Sequence, residues 1–296
     1  MALDQSPEID YDDDEDNDDK KKDDGNEMTF IEHLEALRWH LIRSVSAILV
    51  FMIGAWFIKG FIFKTIILGP SNPDFWTYRM MCKIGTFTGV RSLCVDTMNF
   101  ELMSRQVSGQ FMMALTTSAI VGLVMAFPYI FWEIWRFVKP GLKITEKKAS
   151  RGAVFFVTFL FFCGITFGYF IVAPFAINFL VNFQLDESIK NQFDIGNYIG
   201  ILSTLVLACG VVFQLPAAML VLTKVGVVTP KFLRDYRKHS IVVLLIVAAI
   251  ITPSPDMISQ ILVAIPLYIL YEISIKVSER EINRQKRQAI LDEEED

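Results

Sequence analysis

Six apolar stretches separated by polar segments follow one another along this chain. The first predicted span covers roughly residues 39–57. It follows a segment in which Ile31, Leu34, Leu37 and Leu41 recur at helical spacing. Thr29-Phe-Ile-Glu32 reads as a capping box opening that helix, with Glu35 and Arg38 together on another face. A long loop, 58–106, carries the turn signals Gly69-Pro70 and Asn72-Pro73. The second span, roughly 109–132, has Pro128 near its end, and the third is roughly 154–174. The fourth, roughly 198–222, is interrupted by Gln214 and Pro216. The fifth, 240–252, stops at Pro253, and the sixth, 257–275, holds Pro266 and runs into a charged helix through Arg287.

Apolar runs of about 20 residues match the hydrocarbon thickness of a bilayer, and a soluble domain does not repeat them. The pattern predicts an all-α polytopic membrane protein of six spans. Residues 28–276 form its membrane domain, 1–27 an acidic disordered tail and 277–296 a charged tail. The last two spans are short. The thirteen residues of the fifth reach only about 20 Å against a core of about 30 Å, so local thinning of the bilayer is expected there.

Composition agrees: 53% of the residues are apolar, and the mean hydropathy is +0.41. Charge refines the picture. The net −5 hides −10 in residues 1–27 and −5 in residues 292–296, which leaves +10 for residues 28–291. The N-terminal tail cannot bury apolar area, and it lacks the basic and apolar regions of a signal peptide. The first internal span is therefore expected to direct insertion. Basic residues crowd the loops 136–151 and 224–238 and the tail after Ile275, whereas 185–197 holds only Lys190. By the positive-inside rule both termini face the cytoplasm.

Residues 127–151 concentrate the candidate chemistry. An aromatic run containing Trp132, Trp135 and Phe137 passes through Pro140 into a basic loop with one carboxylate, Glu146. Glu146 either pairs locally with Lys143 or Lys147, or receives a cation from outside. Carboxylates accept guanidinium forks bidentately, and partial dehydration strengthens such a pair. Gln214 sits in mid-span, where an amide must find a partner. It is satisfied either by its own helix, opened at Pro216, or by a polar group on a partner's helix. Asp256 lies in a Pro-bounded turn where it or Ser254 could cap the sixth helix. Cys163 and Cys209 lie in spans. Cys82 and Cys94 share the long loop and form a candidate disulfide if that loop faces an oxidising compartment.

Histidines 33, 40 and 239 show no metal-ligand spacing, and no Walker, HExxH or GxSxG motif occurs. No paired Asp, Ser/Lys or His/Glu set is expected within the spans. The chain is thus read as a non-enzyme without cofactor, metal or nucleic acid, and transport would draw on the electrochemical gradient. A secondary transporter is the alternative; it predicts inverted repeats and a midplane site, and no convincing repeat relates the halves.

Five segments resemble the TatC subunit of the twin-arginine protein translocase: HLEALRWHLIRS (33–44), FPYIFWEIWRFVKPGLKITEKK (127–148), FGYFIVAPFAINFL (167–180), FQLP (213–216) and TPSPDMISQILVAIPLYILYEI (252–273). The resemblance implies a six-span, glove-shaped bundle in the cytoplasmic (inner) membrane. It implies a receptor for twin-arginine signal peptides of folded precursors, and export driven by the proton-motive force. The implied partners are single-span TatA/TatB-like subunits, further copies of the chain and membrane lipid. Glu146 falls on the carboxylate that receives the arginine pair, and Phe137 and Pro140 match the aromatic and Pro positions beside it. In the N-terminal motif, Glu35 and Arg38 fall in the arginine-binding segment. Ala36 occupies the place of the family's second Glu, and Glu35 stands one residue earlier, a rotation of about 100° on a helix. Gln214 stands where some members carry Glu.

Overall fold

Inside a bilayer the backbone has no water to bond, so each apolar run must satisfy its amides within itself, as a helix. The computed structural model describes residues 30–88, 101–138, 150–183, 186, 191–252 and 257–295. Thr29, Cys94, Pro140, Glu146, Asp256 and the acidic tail lie outside the described residues.

Helix α1 (Phe30–Phe57) leads into a short π-helical stretch, Ile62–Ile67, and a 3-10 turn, Gly69–Ser71. Helix α2 (Trp76–Thr88) and strand β1 (Glu101–Met103) follow. Helix α3 (Gly109–Val138) contains Pro128 and continues past the boundary expected at residue 132. Helix α4 (Ser150–Phe167) passes through a π-helical segment, Gly168–Val172, into α5 (Ala173–Asn182). The extra residue of a π-turn directly precedes Pro174, which enters the second position of α5. Strand β2 (Gln192–Asp194) leads to α6 (Ile195–Val212) and α7 (Leu215–Lys224). The chain breaks between them at Phe213 and Gln214, as Pro216 requires. Helices α8 (Pro230–Asp235), α9 (Arg237–Ile251) and α10 (Met257–Glu295) complete the fold.

Among the described residues, five helical segments are long and apolar enough to cross a membrane: Glu35–Phe57, Gly109–Phe137, Val154–Asn182, Ile195–Lys224 and Gln260–Arg287. Helix α9 is the remaining apolar one, and its 15 residues reach about 22 Å. The fifth span is therefore short, as expected. The sixth apolar stretch is the opening half of a single helix of 39 residues, unbroken beyond Ile275.

Small residues set the closest helix approaches, as they do where lipid supplies no hydrophobic drive for association. A Cβ on Gly122 of α3 would lie 2.7 Å from the Met52 nitrogen of α1. One on Gly164 of α4 would lie 2.7 Å from the Cys209 carbonyl oxygen of α6. Cys209 is buried there, and both Cys163 and Cys209 are free thiols.

One end of the bundle is tied by three tyrosines, of which Tyr78 and Tyr198 are buried. Tyr78 donates to the carbonyls of Pro70 (2.9 Å) and Pro174 (3.1 Å). Tyr198 donates to Ile67 (2.7 Å) and Tyr169 to Ile66 (2.8 Å). Burial, with Tyr198 adding to it, pushes the Tyr78 phenol above its ordinary pKa. At the same end β1 and β2 pair in parallel, Leu102 opposite Phe193. This pairing joins the two loops that the topology assigns to one side, and no pattern in the sequence announces it. Cys82, in α2, is disulfide-bonded.

The other end is held by ion pairs onto α10: Arg234–Glu279 at 2.6 Å, Arg237–Glu272 at 2.8 Å and Lys224–Glu281 at 3.6 Å. Beneath them the hydroxyls of Thr223 and Ser278 meet at 2.7 Å in full burial.

Candidate functional site

The N-terminal turns of α1 and the last turns of α3 lie side by side, and the candidates Glu35, Arg38 and Phe137 sit there. Glu35 and Arg38 are exposed, and neither makes an ion pair among the described residues. Ala36 precedes His40 by one helical turn, so both share the face of α1 turned towards α3. Glu35 is rotated off that face.

His40 points across to Glu133 of α3, Nδ1 to Oε2 at 2.5 Å. The Glu133 side chain is 1% exposed. Its carboxylate is also hydrogen-bonded by Tyr129, and Arg136 stands 4.0 Å away. Phe137 packs edge-on against the His40 ring, centroids 6.1 Å apart. Arg136 in turn lies over the Trp132 ring at 5.0 Å. A buried carboxylate persists only when paired and hydrogen-bonded, and this one has both.

This pair corrects the expectation that the spans hold no His/Glu set. The partners are separated by 93 residues and meet only because α1 packs along α3. A signal was present in the sequence: Glu133 is an ionisable residue inside an aromatic run, a position that ordinarily demands a partner. The cluster holds no group of three or more metal-ligating side chains among the described residues. Glu146 and Pro140, singled out in the adjoining segment, lie outside the described residues.

The second polar position lies deeper, on the opposite side of the same helix end. Gln214 donates through Nε2 to the carbonyls of Val157 (3.3 Å) and Gly210 (3.5 Å). The carbonyl freed by Pro216 is not its acceptor. Its Oε1 is buried and has no partner among the described residues, and the same holds for Trp135 Nε1. Both side chains line one apolar cavity of about 390 Å³ between α3, α4, α6 and α7. An orphan acceptor and an orphan donor thus belong to side chains of the same cavity wall. Trp135 stacks on Phe131 and forms part of this cavity's wall.

The family described as Sec-independent protein translocase protein (TatC) matches residues 32–266. The TatC of Blattabacterium sp. subsp. Periplaneta americana is 43% identical over 86% of this chain and 96% of its own length. That of Carboxydothermus hydrogenoformans is 36% identical over 85% and 93%. A crystal structure described as the twin arginine translocase receptor TatC superposes with a TM-score of 0.62 at 31% identity, covering 84% of this chain and 99% of that one.

Proposed function

We propose, from the premise that this chain belongs to the TatC family of Sec-independent protein translocase proteins, that it is the signal-peptide receptor and core subunit of a twin-arginine export system. The observation that carries the reading is Glu35, an exposed carboxylate with no ion-pair partner among the described residues, beside the His40–Glu133–Phe137 cluster. An arginine pair presents two planar forks, and carboxylates are its natural acceptors. Glu146, on the family's loop carboxylate, would take one fork and Glu35 would take the other. Phe137 supplies the apolar contact that raises a surface ion pair above the usual 0.2–1 kcal/mol or so. Arg38 repels wrongly placed cations and so sharpens placement.

On this reading the end of the bundle with α1's first turn faces the cytoplasm, and both termini lie there. The tyrosine-tied end faces the opposite, oxidising side, where Cys82 would pair with Cys94. The protein resides in the cytoplasmic membrane, with residues 28–276 as its membrane domain, and the transmembrane gradient supplies the energy. Gln214, with its unpartnered Oε1, would meet a polar group on the helix of a single-span TatA/TatB-like subunit.

Cross-linking of a twin-arginine signal peptide to the inserted protein tests this. Glu146→Ala should abolish the cross-link. Capture that survives the Glu35→Ala/Glu146→Ala double substitution overturns the receptor role of these groups.

A further inference from the structure

Helix α2 lies on the bundle like a bracket, hydrogen-bonded to it through the face that carries Thr77 and Tyr78. Thr77 donates to the Phe170 carbonyl and Tyr78 to Pro70 and Pro174, so that face is fixed. The other face presents Trp76, Arg79, Met80 and Lys83, at the i, i+3, i+4, i+7 spacing of a single stripe. These four residues enclose a small recess of about 250 Å³. Neither Arg79 nor Lys83 makes an ion pair among the described residues. Among the described residues, these two cations have no acidic partner.

Trp76 is shared with a second, larger hollow of about 920 Å³ that continues down the outer face of α4. Trp76 packs edge-on against Phe170 at 6.0 Å where the two spaces join. Below them the hollow is lined by Phe159, Phe162 and Thr166. Phe159 is 57% exposed. From residue 159 to residue 171 the helix rises about 18 Å, close to the depth of one leaflet, about 15 Å. The groove is therefore as deep as an acyl chain is long, and its head is cationic.

We propose that this groove is a binding site for one anionic phospholipid of the leaflet at the tyrosine-tied end. The phosphodiester sits between Arg79 and Lys83, and one acyl chain lies along Phe159, Phe162 and Phe170. Charge complementarity selects this occupant: the recess offers two donors with positive charge where a phosphate would stand. The site is independent of the peptide-receptor reading, because it shares no residue with it.

Native mass spectrometry of the purified full-length protein, titrated in detergent with phosphatidylglycerol or phosphatidylcholine, reads the site directly. Wild type should retain one phosphatidylglycerol in preference to phosphatidylcholine. R79Q/K83Q alters only exposed side chains and should weaken phosphatidylglycerol about 25-fold, each cation contributing about fivefold, with phosphatidylcholine unchanged. Thr166→Trp, which fills the groove, should weaken both lipids. Equal binding of phosphatidylglycerol to wild type and R79Q/K83Q overturns the proposal. So does a photo-cross-linker at Met80 that captures polypeptide rather than lipid in native membranes, because the face then belongs to a protein partner.

Discussion

His40 on α1 and Glu133 on α3 clamp the first two spans at one point, Nδ1 to Oε2 at 2.5 Å, with the carboxylate wholly buried. Removing the histidine leaves a buried charge with a fraction of its partners. His40→Ala should therefore destabilise the protein by about 3–5 kcal/mol, the cost of breaking a buried pair. The double substitution His40→Ala/Glu133→Gln removes the charge as well and should recover part of that loss. Unfolding midpoints in detergent for the four members of the cycle decide it. A wild-type midpoint for His40→Ala would show that the clamp contributes nothing.

Close approach of the same two helices depends on Gly122. A side chain there meets Met52 nitrogen at 2.7 Å and Ile48 oxygen at 3.1 Å, both backbone atoms that cannot swing aside. Gly122→Leu should cost at least about 1–3 kcal/mol through overpacking. Gly54→Leu is the matched control, since no atom lies within 4 Å of a Cβ at that position. Equal thermal midpoints for the two variants would contradict the packing.

Among the described residues, Gln214 makes two long hydrogen bonds and its oxygen has no partner. Side-chain hydrogen bonds inside membranes average about 0.6 kcal/mol, so Gln214→Leu should barely change the melting midpoint. Copurification of a single-span partner should fall sharply all the same. Gln214→Glu keeps an acceptor and should retain the partner. Undiminished capture by the leucine variant would remove Gln214 from partner recognition.

Helix α9, with 15 residues, is shorter than the hydrocarbon core. Four leucines inserted after Val247 would add about 6 Å and relieve the mismatch. Export of a folded precursor should then fall, while signal-peptide cross-linking stays intact. Normal export would count against bilayer thinning as part of transport.

Local features of the fold were legible in the sequence, and those depending on distant partners were not. Apolar runs of bilayer length placed the spans, and Pro216 marked the break between α6 and α7, because both signals act within a few residues. Family membership was likewise visible in five short motifs, and the match over residues 32–266 bears it out. The pairing of β1 with β2 joins strands of three residues whose neighbours carry no alternation to read. Glu133 stands out as an ionisable residue in an aromatic run, but its partner is not legible, for a similar reason. Its burial depends on His40, which is 93 residues away. The cavity lined by Trp135 and Gln214 likewise depends on helices far apart in the chain.

The last helix gives the molecule a lever. An uninterrupted rod of 39 residues is about 58 Å long, nearly twice the thickness of the oily layer it enters. Arg234, Arg237 and Lys224 bolt it to the turn between the fourth and fifth spans. A load applied near Ile290 would reach the short fifth helix through those bolts and through Gln260, whose amide holds the Leu245 carbonyl at 3.1 Å. Whatever gripped the far half would thereby pull on the short fifth helix without touching it.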